Sequence, residues 1–441
     1  MTHVFYFQII LLLGGIAIIV FLTTRLKVHP FFALFIVSLA LGLGAGLPPA
    51  DVLTVMKDGF GQIMKSLGFI IVLGTTLGVL LEQTGRTTVM ANFILEKVGS
   101  RHATFAMSLT GFVVGMPIFC DSGFIVLSGL NQSLARRAGL TITSLAVCLA
   151  TGLYSVHCLI PPHPGAAAAA GIIGVDFGRL LLTGVVVALP AMLVGYWWAV
   201  YAGKGSQIDH PDSNRDVTPH HKGPSVALSF APVFVPLVLI ALKSFLVTPD
   251  ANTVPLKLLS FFGDPSLALF IGILLCFVQR ETNDRAKVSL WLHEAVEKSG
   301  SILVIIGAGG AFGHVLAAMK IGEHFSEVLP LQHLGILFPF LLTFLLKTAQ
   351  GSSTVAIITA ASIVEPLLPA LGLDTETGRL LSVLAMGGGS MMISHANDAY
   401  FWVISKFEAI PMNAMLRVYS IATLWMGLTT LTVVYIMSLV L

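Results

Sequence analysis

Two aspartates stand among small and hydroxylated residues inside long apolar stretches of this 441-residue sequence. Asp121 lies in the segment FCDSG, and Asp398 lies in the segment SHANDAY. A buried carboxyl is costly unless it is protonated or paired, so each aspartate is a candidate carrier of a coupling proton. The alternative for each is a permanently ionised acceptor that caps nearby backbone N–H groups. His395 is a third candidate for proton transfer, or else a packing histidine that bonds a carbonyl.

Two further polar segments, SVHCLIPPHPG (155–165) and KTAQGSS (347–353), interrupt apolar stretches in the same way. Prolines and glycines end helices, and the first residues of a new helix expose unpaired N–H groups and the positive end of its dipole. Four such helix starts around one point would favour a small anion. Serine and asparagine side chains suit hydroxyl groups, and glycines let a backbone approach a ligand closely. The predicted substrate-binding residues are Asp121, Ser122, Gly123, His163, Gln350, Gly351, Ser352, Ser353, His395, Asn397, Asp398 and Tyr400.

Lys347 and two histidines add charge or metal-binding capacity to these segments. Lys347 is a candidate to neutralise a substrate carboxylate or to pair with an aspartate, and the alternatives are a snorkelling side chain or a structural ion pair. His157 and His163 stand on either side of two prolines, which is poor geometry for a shared metal ion. We therefore predict no metal site and no cofactor other than a coupling proton.

The composition is that of a membrane protein. Hydrophobic residues make up 56% of the chain and charged residues 10%, against about a quarter in soluble domains. Several apolar runs, such as residues 7–24, reach the roughly 18 residues that a membrane-spanning helix needs. We predict an all-α polytopic membrane protein surrounded by a lipid bilayer. The net charge of +2 says nothing about nucleic acid, and we expect no nucleic-acid partner.

Lysine and arginine accumulate on the cytoplasmic side of membrane proteins, which orients the predicted spans. On this basis both termini are periplasmic. Two re-entrant hairpins turn at FCDSG and at AQGSS, and each precedes a long crossing that is broken at mid-membrane. The predicted first-half elements are spans at 7–24, 30–47 and about 61–81, a hairpin at about 103–137, a broken crossing at 140–174 and a span at 180–202. The second-half elements are spans at 225–247, about 265–279 and 299–319, a hairpin at about 332–370, a broken crossing at 379–413 and a span at 417–440.

This order divides the chain into two repeats. The N-terminal repeat covers residues 1–202, a polar cytoplasmic linker covers 203–224, and the C-terminal repeat covers 225–441. Each repeat has about five crossings and one hairpin, and an odd number of crossings inverts the second repeat relative to the first. The similarity of residues 65–85 to residues 298–322 supports the repeat. Inverted repeats with broken helices are typical of secondary transporters.

The motifs IFCDSGF, SVH…PPHPG and SHANDAYFW resemble those of the gluconate permease family, within the ion transporter superfamily. The resemblance covers about residues 60–440. It implies a symporter that takes up a sugar acid with protons across the bacterial inner membrane. It also implies an elevator motion of the hairpins and broken helices, and association as a homodimer. The alternative is a sodium-coupled or proton-coupled carrier of another small hydroxy or amino acid, such as D-serine.

An enzyme is not expected, because the sequence has no metalloprotease HExxH motif or nucleophile elbow. A primary pump subunit would need ATP hydrolysis by a partner, because the sequence has no Walker A motif, and two opposed hairpins favour alternating access over a passive channel.

One segment departs from the family pattern. Gluconate and D-serine members typically read H-V-N-D-S-G-F-W where this chain reads H-A-N-D-A-Y-F-W, so Ala399 and Tyr400 replace a serine and a glycine. A tyrosine in the binding site would shorten the cavity. A shorter cavity favours four-carbon threonate or erythronate, or three-carbon glycerate, over six-carbon gluconate. The alternative is that Tyr400 points to a neighbouring helix and leaves the cavity unchanged.

Overall fold

Helices account for every regular element in the part of the chain that the computed structural model describes, which is residues 2–99, 102–204, 224–247, 253–278, 284–319 and 333–440. Among these residues, seven helices are long and apolar enough to cross a membrane, or eight if one bent pair counts as a span. The protein is therefore a multi-pass membrane protein, as its composition predicts. Most of the predicted linker lies outside the described residues.

The first half contains the predicted hairpin and broken crossing. Its helices are α1 (Thr2–Thr24), α2 (Pro30–Gly44), α3 (Pro49–Gln83), α4 (Arg86–Val98), α5 (Ala103–Gly115), α6 (Cys120–Ala138), α7 (Ile142–Leu159), α8 (Pro164–Ile173) and α9 (Phe177–Gly203). α5 and α6 form the hairpin, and α7 and α8 form the broken crossing. α3 is longer than the predicted span at about 61–81, because proline suits its first turn and its early residues pack on other helices.

Helix α4 has no counterpart among the predicted elements. Its first residue, Arg86, is fully buried, and its guanidinium donates to the carbonyls of Leu228 and Cys276 in the second half. In the sequence, Arg86 looks like a charged residue of a loop between spans. In the structure, its side chain joins α4 to the segments of Leu228 and Cys276.

The second half follows the same order with more interruptions. Its helices are α10 (Val226–Leu246), α11 (Val254–Phe262), α12 (Pro265–Cys276), α13 (Arg285–Ala318), α14 (Leu337–Gln350), α15 (Ser353–Val364), α16 (Leu368–Leu371), α17 (Glu376–Met391), α18 (Ala399–Phe407), α19 (Met412–Met415) and α20 (Ile421–Val440). α14 and α15 form the hairpin, and α17 and α18 form the broken crossing. The predicted span at about 265–279 corresponds to α12, the second arm of a pair that bends by 71° where Asp264 caps a helix beginning with proline.

Hairpins and broken crossings pack in a matching pattern in the two halves. α5 packs on α7, and α14 packs on α17, so each hairpin's first arm lies on the first arm of its own broken crossing. α6 packs on α18, and α15 packs on α8, so the second arms join opposite halves. Cβ atoms on Gly152 of α7 and Gly389 of α17 would overlap the carbonyls of Ser108 in α5 and Phe340 in α14, which is why glycine stands there. The inverted orientation and the boundaries of the repeats stay predictions.

Candidate functional site

Four helices start where the hairpins meet the broken crossings, and these starts differ in their caps. Ser352 caps α15 through its hydroxyl, and Asp398 caps α18 through Oδ1. α6 follows Phe119 and α8 follows His163, and neither start has a side-chain cap. The first turns of α6 and α8 therefore keep N–H groups that no side chain of the described residues caps, although Pro164 at the start of α8 has no N–H.

Lys347 and Asp398 form a buried ion pair between the second hairpin and the break that follows it. Lys347 Nζ lies 2.6 Å from Asp398 Oδ2, and the lysine side chain is fully buried. The same oxygen accepts the Ser394 hydroxyl at 2.5 Å, while Lys347 also donates to the Gly351 carbonyl at 2.7 Å. The other carboxylate oxygen accepts the Tyr400 amide at 3.0 Å. These hydrogen bonds help to offset the cost of burying the two charges. An ion pair without such additional hydrogen bonds would not offset that cost.

A backbone contact joins the same two segments. The Asn397 carboxamide donates to the Thr348 carbonyl at 2.7 Å. Gly351 has a φ of +82°, and a Cβ there would overlap the Asn397 carbonyl oxygen. Any other residue would meet both an unfavourable φ and the opposing backbone. We call the contacts among Lys347, Thr348, Gly351, Asn397 and Asp398 the second junction.

Other predicted residues of this hairpin offer polar atoms to a ligand. Both polar atoms of the Gln350 carboxamide are buried without a hydrogen-bond partner among the described residues, and so is the Thr348 hydroxyl. Buried polar groups normally have a partner, so these atoms are suited to ligand hydroxyls. Ser353 is buried beside Cys158 of the first half. His395 is half-buried, and its carbonyl accepts the Asp398 amide at 2.8 Å.

The first half has a neutral contact at the corresponding place. His163 Nε2 lies 2.7 Å from the Gly115 carbonyl oxygen, which can only accept, so this nitrogen carries the hydrogen. We call this contact between the break and the end of α5 the first junction. The rings of His157 and His163 lie 5.0 Å apart between centroids. Within the described ranges, no group of three His, Cys, Asp or Glu side chains could hold a metal ion.

Asp121 brings the first half to the ion pair of the second. It lies half-buried in the first turn of α6 and interacts electrostatically with both Asp398 and Lys347. The adjacent Ser122 is also half-buried. Gly123 is packed so closely on α7 that a Cβ would come within 2.9 Å of a leucine side chain. The polar segments that were separate in sequence therefore converge on one centre.

Tyr400 lies in an aromatic cluster that joins the two halves. Its ring centroid is 5.7 Å from that of Tyr154, 6.0 Å from Tyr419 and 6.1 Å from Phe124. The residue is 2% exposed, and its hydroxyl donates to the Ala150 carbonyl of α7 at 3.4 Å. The ring thus faces α6 and α7. A role for Tyr400 in shortening the binding cavity stays a prediction.

Sequence reasoning missed two tyrosines of this cluster. Tyr154 donates to the Ser390 carbonyl at 3.2 Å, and the buried Tyr419 hydroxyl has no partner among the described residues. Tyr154 could have been found, because it lies three residues before His157 and so on the same helical face. Tyr419 lies outside every polar segment, so its position near the centre has no local signal.

These features define a class of protein: a multi-pass helical permease with two hairpins and two broken helices around a polar centre. The chain matches the GntP family permease model over residues 7–440, and it belongs to that family. It is 33% identical to the gluconate permease of Pseudomonas aeruginosa, over 100% of this chain and 99% of that protein. It is 30% identical to the inner membrane permease YgbN of Escherichia coli, over 95% of each chain. MtrF of Neisseria gonorrhoeae, from a class of antimetabolite efflux pumps, has the same fold with a TM-score of 0.70 at 16% identity, over 95% of this chain and 96% of that one.

Proposed function

We propose that this protein is a secondary active transporter that takes up a sugar acid of the gluconate type, together with protons, across the inner membrane. The observation that carries this proposal is the electrostatic interaction of Asp121, in the first turn of the uncapped helix α6, with the buried Lys347–Asp398 pair. Membership of the GntP permease family and the gluconate permease among its relatives support the substrate class.

The charges at this centre give a reason for coupling. Lys347 is matched by Asp398, so an ionised Asp121 adds a negative charge that this ion pair does not offset, and Glu82, which interacts with Ser122, is a further acid at this place. A substrate carboxylate would add a second negative charge in a region of low dielectric constant. A proton on Asp121 removes this repulsion. The anion and the proton therefore bind more favourably together than either does alone.

The substrate has complementary groups on both sides of the centre. Its carboxylate rests on the N–H groups that begin α6 and α8, near Ser122. Its hydroxyl groups bond the side chains of the second hairpin and its neighbouring break, where the Gln350 carboxamide has no partner among the described residues and where Ser353 and Asn397 also lie. The protein needs no cofactor for this reaction, because the proton is the coupling ion.

Transport requires that this centre face each side of the membrane in turn. In our proposal, residues of about 61–174 and 299–413 move together as a transport domain against the remaining spans. Such a movement is productive only if substrate and proton together stabilise the closed, mobile state.

Uptake into proteoliposomes under an inward proton gradient tests this proposal. Gluconate, threonate, glycerate and D-serine compete against one another, and we expect a sugar acid to win. Preference for a four- or three-carbon acid would support a shortened cavity, whereas strong gluconate uptake would mean that Tyr400 does not shape it. No uptake of any sugar acid would refute the substrate class.

The proton's position is tested with Asp121→Asn and, as the matched control, Asp374→Asn at an exposed position. We expect Asp121→Asn to keep substrate counterflow and to lose gradient-driven accumulation, while the control keeps both. Full accumulation by Asp121→Asn would show that the coupling proton does not bind there.

A further inference from the structure

A second buried acid lies away from the polar centre. Glu408 directly follows α18 and is 1% exposed, and its neighbour Asn131 of α6 is 0% exposed. The Asn131 carboxamide nitrogen donates to Glu408 Oε1 at 2.9 Å. Asn131 lies ten residues after Asp121 on α6, about 15 Å further along the helix axis. Glu408 is therefore a separate group from the acids of the centre.

Two atoms of this pair lack partners. Glu408 Oε2 and Asn131 Oδ1 are both buried with no hydrogen bond to any described residue. Both are acceptors if Glu408 is ionised, and each would then be unsatisfied. A protonated Glu408 carries an O–H that can donate to the amide oxygen. A carboxylic acid and a carboxamide then form two complementary hydrogen bonds, and a single proton satisfies both atoms.

The surroundings of Glu408 do not compensate a negative charge. The polar neighbours of its carboxyl are the amides of Asn131 and Gln132, and Gln132 also donates to the Phe407 carbonyl at 3.0 Å. Glu408 belongs to none of the ion pairs found among the described residues. A buried carboxylate without a cation is strongly disfavoured relative to the neutral acid.

The elements that pack on α18 are α6, α7 and α19. The titratable groups with described side chains on these elements are Cys120, Asp121 and Arg136 of α6 and Cys148, Tyr154, His157 and Cys158 of α7, with Tyr400 and Lys406 on α18 itself. Arg136 and Lys406 are exposed. Asp121, Tyr154 and His157 belong to the polar centre and the aromatic cluster.

We propose that Asn131 holds Glu408 as the neutral acid and that this carboxyl is a second proton-binding site of the transport cycle. The coupling role rests on the proposed function, whereas the protonated pair does not. The pair joins the far end of the first hairpin to the end of the second broken crossing. α6, α18 and Glu408 all lie in the proposed transport domain, so its movement against the remaining spans changes the surroundings of the acid. Where that movement brings the acid to water, a carboxyl at neutral pH loses its proton.

Infrared difference spectroscopy of the purified full-length protein tests the protonated pair. Glu408→Gln removes the carboxyl but keeps an amide that can bond Asn131. We expect a protonated-carboxyl band at neutral pH in the wild type that is lost in Glu408→Gln. The band persists in Glu376→Gln, a control acid whose side chain is 82% exposed. Glu408-dependent bands of an ionised carboxylate in the wild type would overturn the proposal.

Transport by the same variants in proteoliposomes, with gluconate, threonate and glycerate as the probes, tests the coupling role. We expect Glu408→Gln to keep substrate counterflow and to lose the wild-type dependence of uptake on the proton gradient. Wild-type gradient dependence in this variant would overturn the coupling role. A wild type that shows no proton-driven uptake refutes the proposed function and the coupling role together, while the infrared result still decides the protonated pair.

Asn131→Ala provides a second test that does not depend on the folding of Glu408→Gln. It keeps the acid and removes its partner, so we expect the infrared band to shift and the pH profile of uptake to move. An unchanged band and an unchanged profile would contradict the proposed pair.

Discussion

The two halves of this protein fasten a hairpin to a broken crossing by different chemistry. The first junction is a neutral hydrogen bond from His163 to the Gly115 carbonyl, and the second contains the buried pair of Lys347 and Asp398. Removal of the donor from a buried neutral acceptor costs about 1–3 kcal/mol, whereas removal of one member of a buried ion pair costs about 3–5 kcal/mol. The second junction is therefore the more demanding part of the structure.

The helix starts of the two halves also differ, because those of the second half have side-chain caps. In the second half, side chains of Ser352 and Asp398 cap α15 and α18, whereas α6 and α8 of the first half start without such caps. A capped start has already used part of its capacity to bind an anion. The comparison indicates that the second half provides rigidity and hydroxyl partners, and that the first half provides the open N–H groups.

Lys347→Met should have the largest effect, because it leaves the buried Asp398 carboxylate without its cation. We expect a loss of about 3–5 kcal/mol in stability, measured by thermal unfolding in detergent, and loss of uptake. The control is Lys243→Met, which breaks a partly exposed pair with Asp264 at 3.8 Å and should cost less than about 1 kcal/mol. The double variant Lys347→Met/Asp398→Asn should recover part of the stability. Equal losses of stability in Lys347→Met and Lys243→Met would mean that the buried ion pair of the second junction is no more demanding than an exposed one.

Gly351→Ala should come next, because its φ of +82° disfavours alanine and the new Cβ overlaps the Asn397 carbonyl. The conformation alone costs about 1–2 kcal/mol. Gly139→Ala is the matched control, since Gly139 has a φ of +65° but nothing within 4 Å of its Cβ position. Thermal unfolding of both variants separates backbone strain from the overlap. A loss no larger than that of the control would mean that the second junction tolerates a displaced Asn397.

His163→Leu should have a smaller effect on the first junction. It removes the side-chain donor of the Gly115 carbonyl, which also accepts the Ile118 amide at 3.4 Å. Loss of a donor to a buried acceptor costs about 1–3 kcal/mol. His163→Gln supplies an amide donor and should recover part of this stability in the same unfolding assay. If glutamine and leucine destabilise equally, the histidine acts through packing and not through its hydrogen bond.

Tyr400→Phe should have the smallest effect, because the hydrogen bond that its hydroxyl donates to the Ala150 carbonyl is long, at 3.4 Å. We expect a loss of about 0.5–1 kcal/mol in stability. Competition between gluconate and threonate for uptake should not change. A changed preference between gluconate and threonate would instead indicate that the Tyr400 hydroxyl contacts the substrate.

Much of the fold could be predicted because its signals are local. The first hairpin was expected at about 103–137 and the first broken crossing at 140–174, and the helices run over Ala103–Ala138 and Ile142–Ile173. Apolar length and helix-breaking residues determine such elements within a short stretch of chain. The early part of α3 was missed because its packing depends on a distant glycine-lined crossing with α13.

The candidate site was predictable in part for the same reason. Asp121, Lys347 and Asp398 are conspicuous because charges are rare in apolar segments. Glu408 gave no such signal, since a glutamate near a helix end resembles a charge at the membrane surface. Its burial follows from Asn131, which lies 277 residues away in sequence.

Local sequence is sufficient to predict a membrane protein with hairpins and broken helices. The length of an apolar segment and the residues that end a helix are both features of a short stretch of chain. Three-dimensional packing alone determines which acid meets a cation and which meets an amide. Lys347 reaches Asp398 and Asn131 reaches Glu408 only after the helices assemble. The chemistry of a buried carboxyl depends on those partners, because a medium of low dielectric constant makes each charge and each unpaired polar atom costly.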